Sequence, residues 1–187
     1  MKTDARVRYT QMMIRNSFKE LLKEKPVARI TVKEICERSE INRATFYHYY
    51  KDPYDLLEQI EKEMLDNLAD VLSKENFHDM EAFYGKILDA MKKHGEWYIS
   101  ICSAHGDTAF PTRIFMACYR TAFPLFANPM TQLKESEQKL VYHFLTQGCS
   151  GTMGYWFKGG MEESIEKISC FLAEASKGII DHFSGKY

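Results

Sequence analysis

Residues 30–57 read ITVKEICERSEINRATFYHYYKDPYDLL, and this stretch decides the fold. Thr31 precedes Glu34 by three residues. In that T-x-x-E spacing the threonine oxygen accepts from the N–H of residue 34, and the glutamate reaches back to the N–H of residue 31. The spacing predicts a short helix that carries Val32, Ile35 and Cys36 and runs out near Ser39-Glu40-Ile41. Asn42 suits an N-cap and opens a second short helix, Arg43 to Tyr50. Asp52-Pro53-Tyr54-Asp55 then begins a longer one over 53–73: Asp as cap, Pro where its missing N–H costs nothing, an acid in the first turn. Leu56/Leu57, Ile60, Met64, Leu68 and Val71/Leu72 share one side of it. Two short capped helices joined by a turn of about four residues make a helix-turn-helix pattern.

Working outward, apolar residues keep recurring at helical spacing. Val7, Ile14, Phe18 and Leu21/Leu22 line a first helix near 4–24, which Pro26 stops. Beyond residue 73 helices are predicted over about 79–94, 96–104, 110–126 (interrupted late by Pro124), 136–158 and 162–184. The fifth of these carries Ile165, Ile168, Leu172, Ala175, Ile179 and Phe183 at alternating spacings of three and four, a seam able to pack on a partner helix. No segment alternates with period two. The expected class is all-α with about nine helices: a helix-turn-helix domain over 1–52 and a helical domain over 53–187.

On the second short helix, a wheel at 100° per residue separates two faces. Phe46 and Tyr50 fall together, with Tyr49 beside them. Arg43, Ala44, Tyr47 and His48 fall opposite. The first set would pack inward and the second would be presented outward. A major groove accepts that mixture: Arg can give two hydrogen bonds to guanine O6 and N7, and Ala can approach a thymine methyl. Tyr47, Thr45 and Lys51 carry donors for phosphate oxygens, as do the backbone N–H groups near Thr31 and Val32. Lys33 suits either role. The same outward face could equally meet a protein.

The charge distribution is consistent with two tasks. The 187-residue chain has a net charge of −1. Residues 1–60 hold 12 Lys and Arg against 9 Asp and Glu, whereas residues 61–187 hold 13 against 17. Cys36, Cys102, Cys118, Cys149 and Cys170 are odd in number and lack metal-ligand spacing, which argues against a disulfide framework or a zinc site. The N-terminal MKTDARVRYTQ has no apolar leader and no long uncharged apolar run follows, so neither a signal peptide nor a membrane span is expected, and the expected location is the cytoplasm. No Ser-His-Asp set, carboxylate pair or metal motif stands out. An enzyme is not expected, nor a cofactor or metal.

Residues 30–57 resemble the DNA-binding domain of TetR/AcrR-type transcriptional regulators. Thr31, Ile35, Ile41, Thr45, Phe46, Tyr47, Tyr49, Tyr50, Lys51 and Leu56/Leu57 carry the likeness, and TFYHYYKD is its most specific part. FLTQGCSGTMGYWFKGG followed by MEESIEKI is more loosely similar to a C-terminal subfamily common in Gram-positive bacteria. The resemblance implies a homodimer on a palindromic operator, usually a repressor, released by a small molecule held in the C-terminal domain. It implies DNA contacts by Thr31, Lys33, Arg43, Ala44, Thr45, Tyr47, His48, Tyr49 and Lys51. Two positions depart from the pattern: Glu40 stands where a Gly is usual in the turn, and Pro53 where many relatives have a phosphate-binding Lys. These departures motivate an alternative, a coactivator or interaction module of the same fold that has lost DNA binding.

The C-terminal domain is rich in aromatics. An apolar pocket with a few converging polar groups is the usual small-molecule site. His105, Arg113, Met116, Tyr119, Arg120, Phe123, Phe144, Gln147 and Trp156 are its candidate lining, although any one aromatic could equally be core. Gly148, Gly151 and Gly154 recur every third residue in one helix, each costing about 1 kcal/mol relative to Ala. Close approach of a partner helix at a dimer interface would explain them, as would room for a ligand or a local break. Gly148, Gly151, Tyr155, Ile168, Leu172, Ala175 and Ile179 are the candidate dimer interface.

Overall fold

The computed structural model describes residues 2–101, 109–114, 116–118 and 130–185. Every regular element among them is helical. The chain forms two compact units. One comprises Met1–Met64 and takes in residues 99–101; the other comprises Leu65–Tyr98 and the described residues from Ala109 onward.

In the first unit, α1 spans Lys2–Glu24, α2 Val32–Arg38 and α3 Arg43–Tyr49, and α4 begins at Pro53 and runs to Ser73. The Thr31–Glu34 box is formed as the spacing predicts: Glu34 N–H donates to Thr31 Oγ1 (3.3 Å) and Thr31 N–H to Glu34 Oε2 (3.0 Å). Asn42 Oδ1 accepts from Thr45 N–H at 2.7 Å and caps α3. Asp52 Oδ1 takes the N–H groups of Tyr54 and Asp55 at 2.8 and 2.9 Å, while Pro53, buried as the first residue of α4, has no N–H to place. Ile14, Phe18, Leu22, Ile35, Phe46 and Leu56 are wholly buried and make the core. A single 3-10 turn, Val27–Arg29, links α1 to α2. Its backbone bonds, from Arg29 N–H to the Pro26 carbonyl and from Ile30 N–H to that of Val27, follow the fixed φ of Pro26, and no apolar periodicity announces them.

The second unit contains the rest of α4, then α5 (Met80–Lys92), part of α6 (Gly95–Ile101), α7 (Glu135–Lys158) and α8 (Ile165–Ser184). Residues 110–114 and 116–118 are also helical. The predicted interruption at Pro124 lies outside the described residues. α5 packs along α8. Within the chain, the last helix turns inward a face that only partly overlaps the expected seam. Its buried face is Ser169, Leu172, Ser176 and Ile180, while Ala175 and Phe183 are exposed. Serine is polar and carries no apolar signal into a helical pattern. Its small size instead admits a neighbouring helix: a Cβ placed on Gly85 of α5 would lie 3.8 Å from Ser169 Cβ. Ser176 Oγ lies 2.9 Å from Tyr84 Oη, which is 3.1 Å from Cys149 Sγ, so the buried hydroxyl of Tyr84 has partners on two helices. The Tyr98 ring stacks between Phe110 and Phe157, with centroids 5.9 and 5.5 Å away. At the end of α7, Gly160 adopts φ +78°, which a residue without Cβ takes without strain, and Met161 follows at φ +59°.

Candidate nucleic-acid interface

α3 is fixed by the residues it buries. Phe46 and Tyr50 lie in the core with ring centroids 5.7 Å apart. Arg15 of α1 holds this end of the motif: Nε donates to Tyr50 Oη at 3.2 Å, and its two terminal nitrogens donate to the Glu63 carboxylate at 2.6 Å each. The Glu63 contact above all, with Tyr50 adding to it, pushes the guanidinium further toward its charged form than an ordinary Arg, against the opposing effect of partial burial. This α1–α3–α4 connection has no signal in the sequence pattern. Its members stand 35 and 48 residues apart, beyond any local spacing.

The opposite face of α3 is open. Arg43, Ala44, Tyr47 and His48 are all exposed, Tyr47 at 57%. Among the described residues, the side chains of Arg43, Tyr47 and His48 have neither a hydrogen-bond nor an ion-pair partner. Tyr47 packs edge-on against the Phe46 ring, which fixes its base while leaving its hydroxyl outward. Tyr49 is half-buried, with its ring 4.8 Å from that of His48. Lys51 is exposed, and its backbone N–H donates to Asp55 Oδ2 at 2.8 Å.

The remaining expected contacts are already engaged locally. The Thr31 hydroxyl donates to Glu34 Oε2 at 2.8 Å and the Thr45 hydroxyl to Asn42 Oδ1 at 3.0 Å. Lys33 Nζ lies 3.7 Å from Glu37 Oε1. Hydrogen bonds from Lys25 and then Thr31 draw the Glu34 carboxyl down from its ordinary value of 4.5 to about 2. Because the folded value lies below the unfolded one, this contribution to stability is present above about pH 4.5 and is lost as pH falls toward 2. Acid unfolding of Glu34→Gln, followed by circular dichroism, should therefore show a weaker pH dependence than the parent across that window. An identical slope would mean that the box does not hold the charge.

The turn before α3 adopts the geometry that a Gly would take: Glu40 sits at φ +55°. Ile41 N–H still reaches the Cys36 carbonyl at 3.1 Å and the Ser39 hydroxyl the Ile35 carbonyl at 2.6 Å. The departure from Gly thus leaves the turn intact with a strained residue in it, at a cost of roughly 1–2 kcal/mol. Glu40→Gly should stabilise the protein by about 0.5–1 kcal/mol, since greater freedom of the unfolded chain offsets part of the relief. A lower urea midpoint for the variant would contradict this.

The candidate small-molecule residues occupy different surroundings. Arg113 places its guanidinium 5.5 Å from the Phe110 ring centroid. Trp156 is buried and donates from Nε1 to the Glu163 carbonyl at 2.9 Å. Met116 is exposed. Phe144 and Gln147 line an open apolar groove of about 670 Å³ between α7 and α8, together with Leu133, Val141, Ile179 and Phe183. His105, Tyr119, Arg120 and Phe123 lie outside the described residues.

Among the interface candidates, Gly148, Gly151 and Tyr155 are exposed along α7 and Ala175 along α8. Ile168 and Ile179 are half-buried, and Leu172 is buried within the protomer. A Cβ at Gly148, Gly151 or Gly178 would meet nothing within 4 Å. Among the described residues no His, Cys, Asp and Glu cluster could hold a metal, and no helix is long and apolar enough to cross a membrane.

A capped helix pair with one face locked in a core and the other open defines an all-helical protein of the helix-turn-helix class. The family profile for bacterial regulatory proteins of the tetR family matches residues 18–60, and that for the transcriptional regulator C-terminal region of TetR type matches residues 78–178. The chain belongs to the TetR family of transcriptional regulators. It is 29% identical over 62 residues to the uncharacterized HTH-type transcriptional regulator YxbF of Bacillus subtilis (strain 168), a match spanning 33% of this chain and only 16% of that protein. Among solved structures, a TetR transcriptional regulator from Streptococcus agalactiae 2603V superposes with a TM-score of 0.65 at 17% identity, covering 94% of this chain and 98% of that one. The dihydroxyacetone kinase operon activator DhaS gives 0.60 at 17%, covering 93% and 97%. These two likenesses concern the fold alone.

Proposed function

We propose that the protein is a sequence-specific DNA-binding regulator that acts in the cytoplasm as a homodimer on a palindromic operator, represses transcription there and is released by a small-molecule effector of the C-terminal unit. The observation that carries the DNA-binding reading is the open face of α3, where Arg43, Tyr47 and His48 keep their polar atoms uncommitted. Thr31, Lys33, Ala44, Thr45, Tyr49 and Lys51 complete the proposed contact set, with the ammonium groups of Lys33 and Lys51 positioning the head on phosphates. The retained turn at Glu40 and the buried Pro53 support this reading over loss of DNA binding, because neither departure deforms the motif.

The homodimer reading rests on α7 and α8. Leu140, Phe144, Tyr155 and Phe171 are exposed at 71, 64, 82 and 56%. Exposed aromatics in such number, beside helical glycines with open space above them, fit a surface awaiting a second copy. Gly148, Gly151, Tyr155, Ala175 and Ile179 are its proposed central residues, with Ile168 and Leu172 supporting α8 from behind. Phe144→Asp with Tyr155→Asp should shift the sedimentation mass to that of one chain. A dimer that persists would contradict the assignment.

The effector reading keeps Arg113, Met116, Phe144, Gln147 and Trp156 as candidate contacts, along with His105, Tyr119, Arg120 and Phe123. The alternative, a coactivator or interaction module of the same fold, has in its favour only that Pro53 offers no donor to a phosphate where a Lys would. A salt titration against a random-sequence duplex separates the readings. The DNA-binding regulator shows affinity at low salt that declines with a slope of about 0.9 per phosphate contact. No affinity at low salt favours the interaction module.

A further inference from the structure

α3 is seven residues long, too short to hold a direction by itself. Its attachments differ in kind. The Asn42 cap bonds within the helix and travels with it. Phe46 buries its ring in the core, but apolar burial is non-directional and lets a helix roll about the buried side chain. Tyr50, the C-cap of α3, adds a directional contact. Among the described residues, its hydroxyl makes the one hydrogen bond that joins residues 42–50 to another helix, taking the Nε–H of Arg15 at 3.2 Å.

Arg15 is itself fixed. Both terminal nitrogens bond the Glu63 carboxylate as a fork, which sets the plane of the guanidinium and with it the direction of Nε. The Arg15 side chain is 25% exposed, so water can replace the Tyr50 oxygen and the bond adds little to net stability. What the Glu63–Arg15–Tyr50 chain supplies is direction. We propose that Arg15 is a positioning residue for DNA recognition: held by Glu63, it sets the pitch of α3 through the Tyr50 hydroxyl and so aligns the outward face with the groove. The proposal rests on the DNA-binding reading above and adds what aims that face. Contacts to base edges need close alignment, whereas attraction to phosphates tolerates a tilted helix.

The test uses the intact protein, Tyr50→Phe, Arg15→Lys and the double variant. Phenylalanine keeps the buried ring and removes only the hydroxyl. Lysine keeps a charge beside Glu63 but offers one point donor in place of the fork. Gel shifts compare the duplex that the wild type enriches from a random pool with a random duplex at low salt. Each single variant should lose roughly tenfold in affinity for the enriched duplex, and the double variant no more than either, because both changes break one bond. Affinity for the random duplex and the melting temperature should hold. A purely structural role would lower both affinities together with the melting temperature, or move none of them, and either result overturns the proposal while leaving DNA binding standing. Losses that multiply in the double variant overturn it as well. Failure of the wild type to enrich any duplex overturns the DNA-binding reading, and the proposal with it.

Discussion

Phe46→Ala should destabilise the N-terminal unit by about 3–5 kcal/mol and abolish DNA binding, although Phe46 faces away from the proposed DNA surface. The side chain is wholly buried and belongs to one core with Ile14, Phe18, Ile35 and Leu56, each also wholly buried. Truncation removes the apolar area of a ring and leaves a cavity that the surrounding helices can only partly close. It also withdraws the packing of Phe46 against the rings of Tyr47 and Tyr50. Tyr50 is the group that Arg15 holds from α1, so both anchors of α3 loosen together. Small domains are stable by only about 5–15 kcal/mol, so this destabilisation is a large fraction of the whole. Urea unfolding followed by circular dichroism checks it, and a midpoint unchanged from the parent would contradict the placement of Phe46.

Arg43→Ala combined with Tyr47→Ala should weaken operator binding by about 1–3 kcal/mol for each side chain that no longer reaches a base, roughly 30-fold or more together, while stability stays within about 0.5 kcal/mol of the parent. Both side chains are exposed and contribute no hydrogen bond or ion pair to the fold among the described residues. The two variants therefore separate the inward face of α3 from the outward one. Phe46→Ala fails to bind because the head unfolds; the outward pair fails to bind in a head that melts normally. A drop in melting temperature for the outward pair would mean that α3 is held differently.

What is legible in the sequence follows from range. Helix starts at Thr31, Asn42 and Asp52 are legible because their caps close within three residues, and the two faces of α3 because a wheel needs only local spacing. The left-handed turn at Glu40 is legible through the Gly that usually stands there. The Arg15–Tyr50–Glu63 connection is not, since its members approach only after folding. The inward face of α8 escapes an apolar pattern because Ser169 and Ser176 are polar by composition yet small enough to lie against α5. The aromatics of the C-terminal unit are visible as a group, but composition does not say which way a ring points. Trp156 is buried and Phe144 exposed, and only the packed helices separate them.

The measurement that bears most directly on the central claim is a footprint of the intact protein on the duplexes it enriches from a random-sequence pool at low salt, taken beside that of the Arg43→Ala/Tyr47→Ala variant. The account predicts two protected half-sites related by a two-fold axis for the wild type and no protection for the variant at the same concentration. Equal protection by both proteins, or none by the wild type at low salt, would contradict the assignment of α3 as the surface that reads DNA.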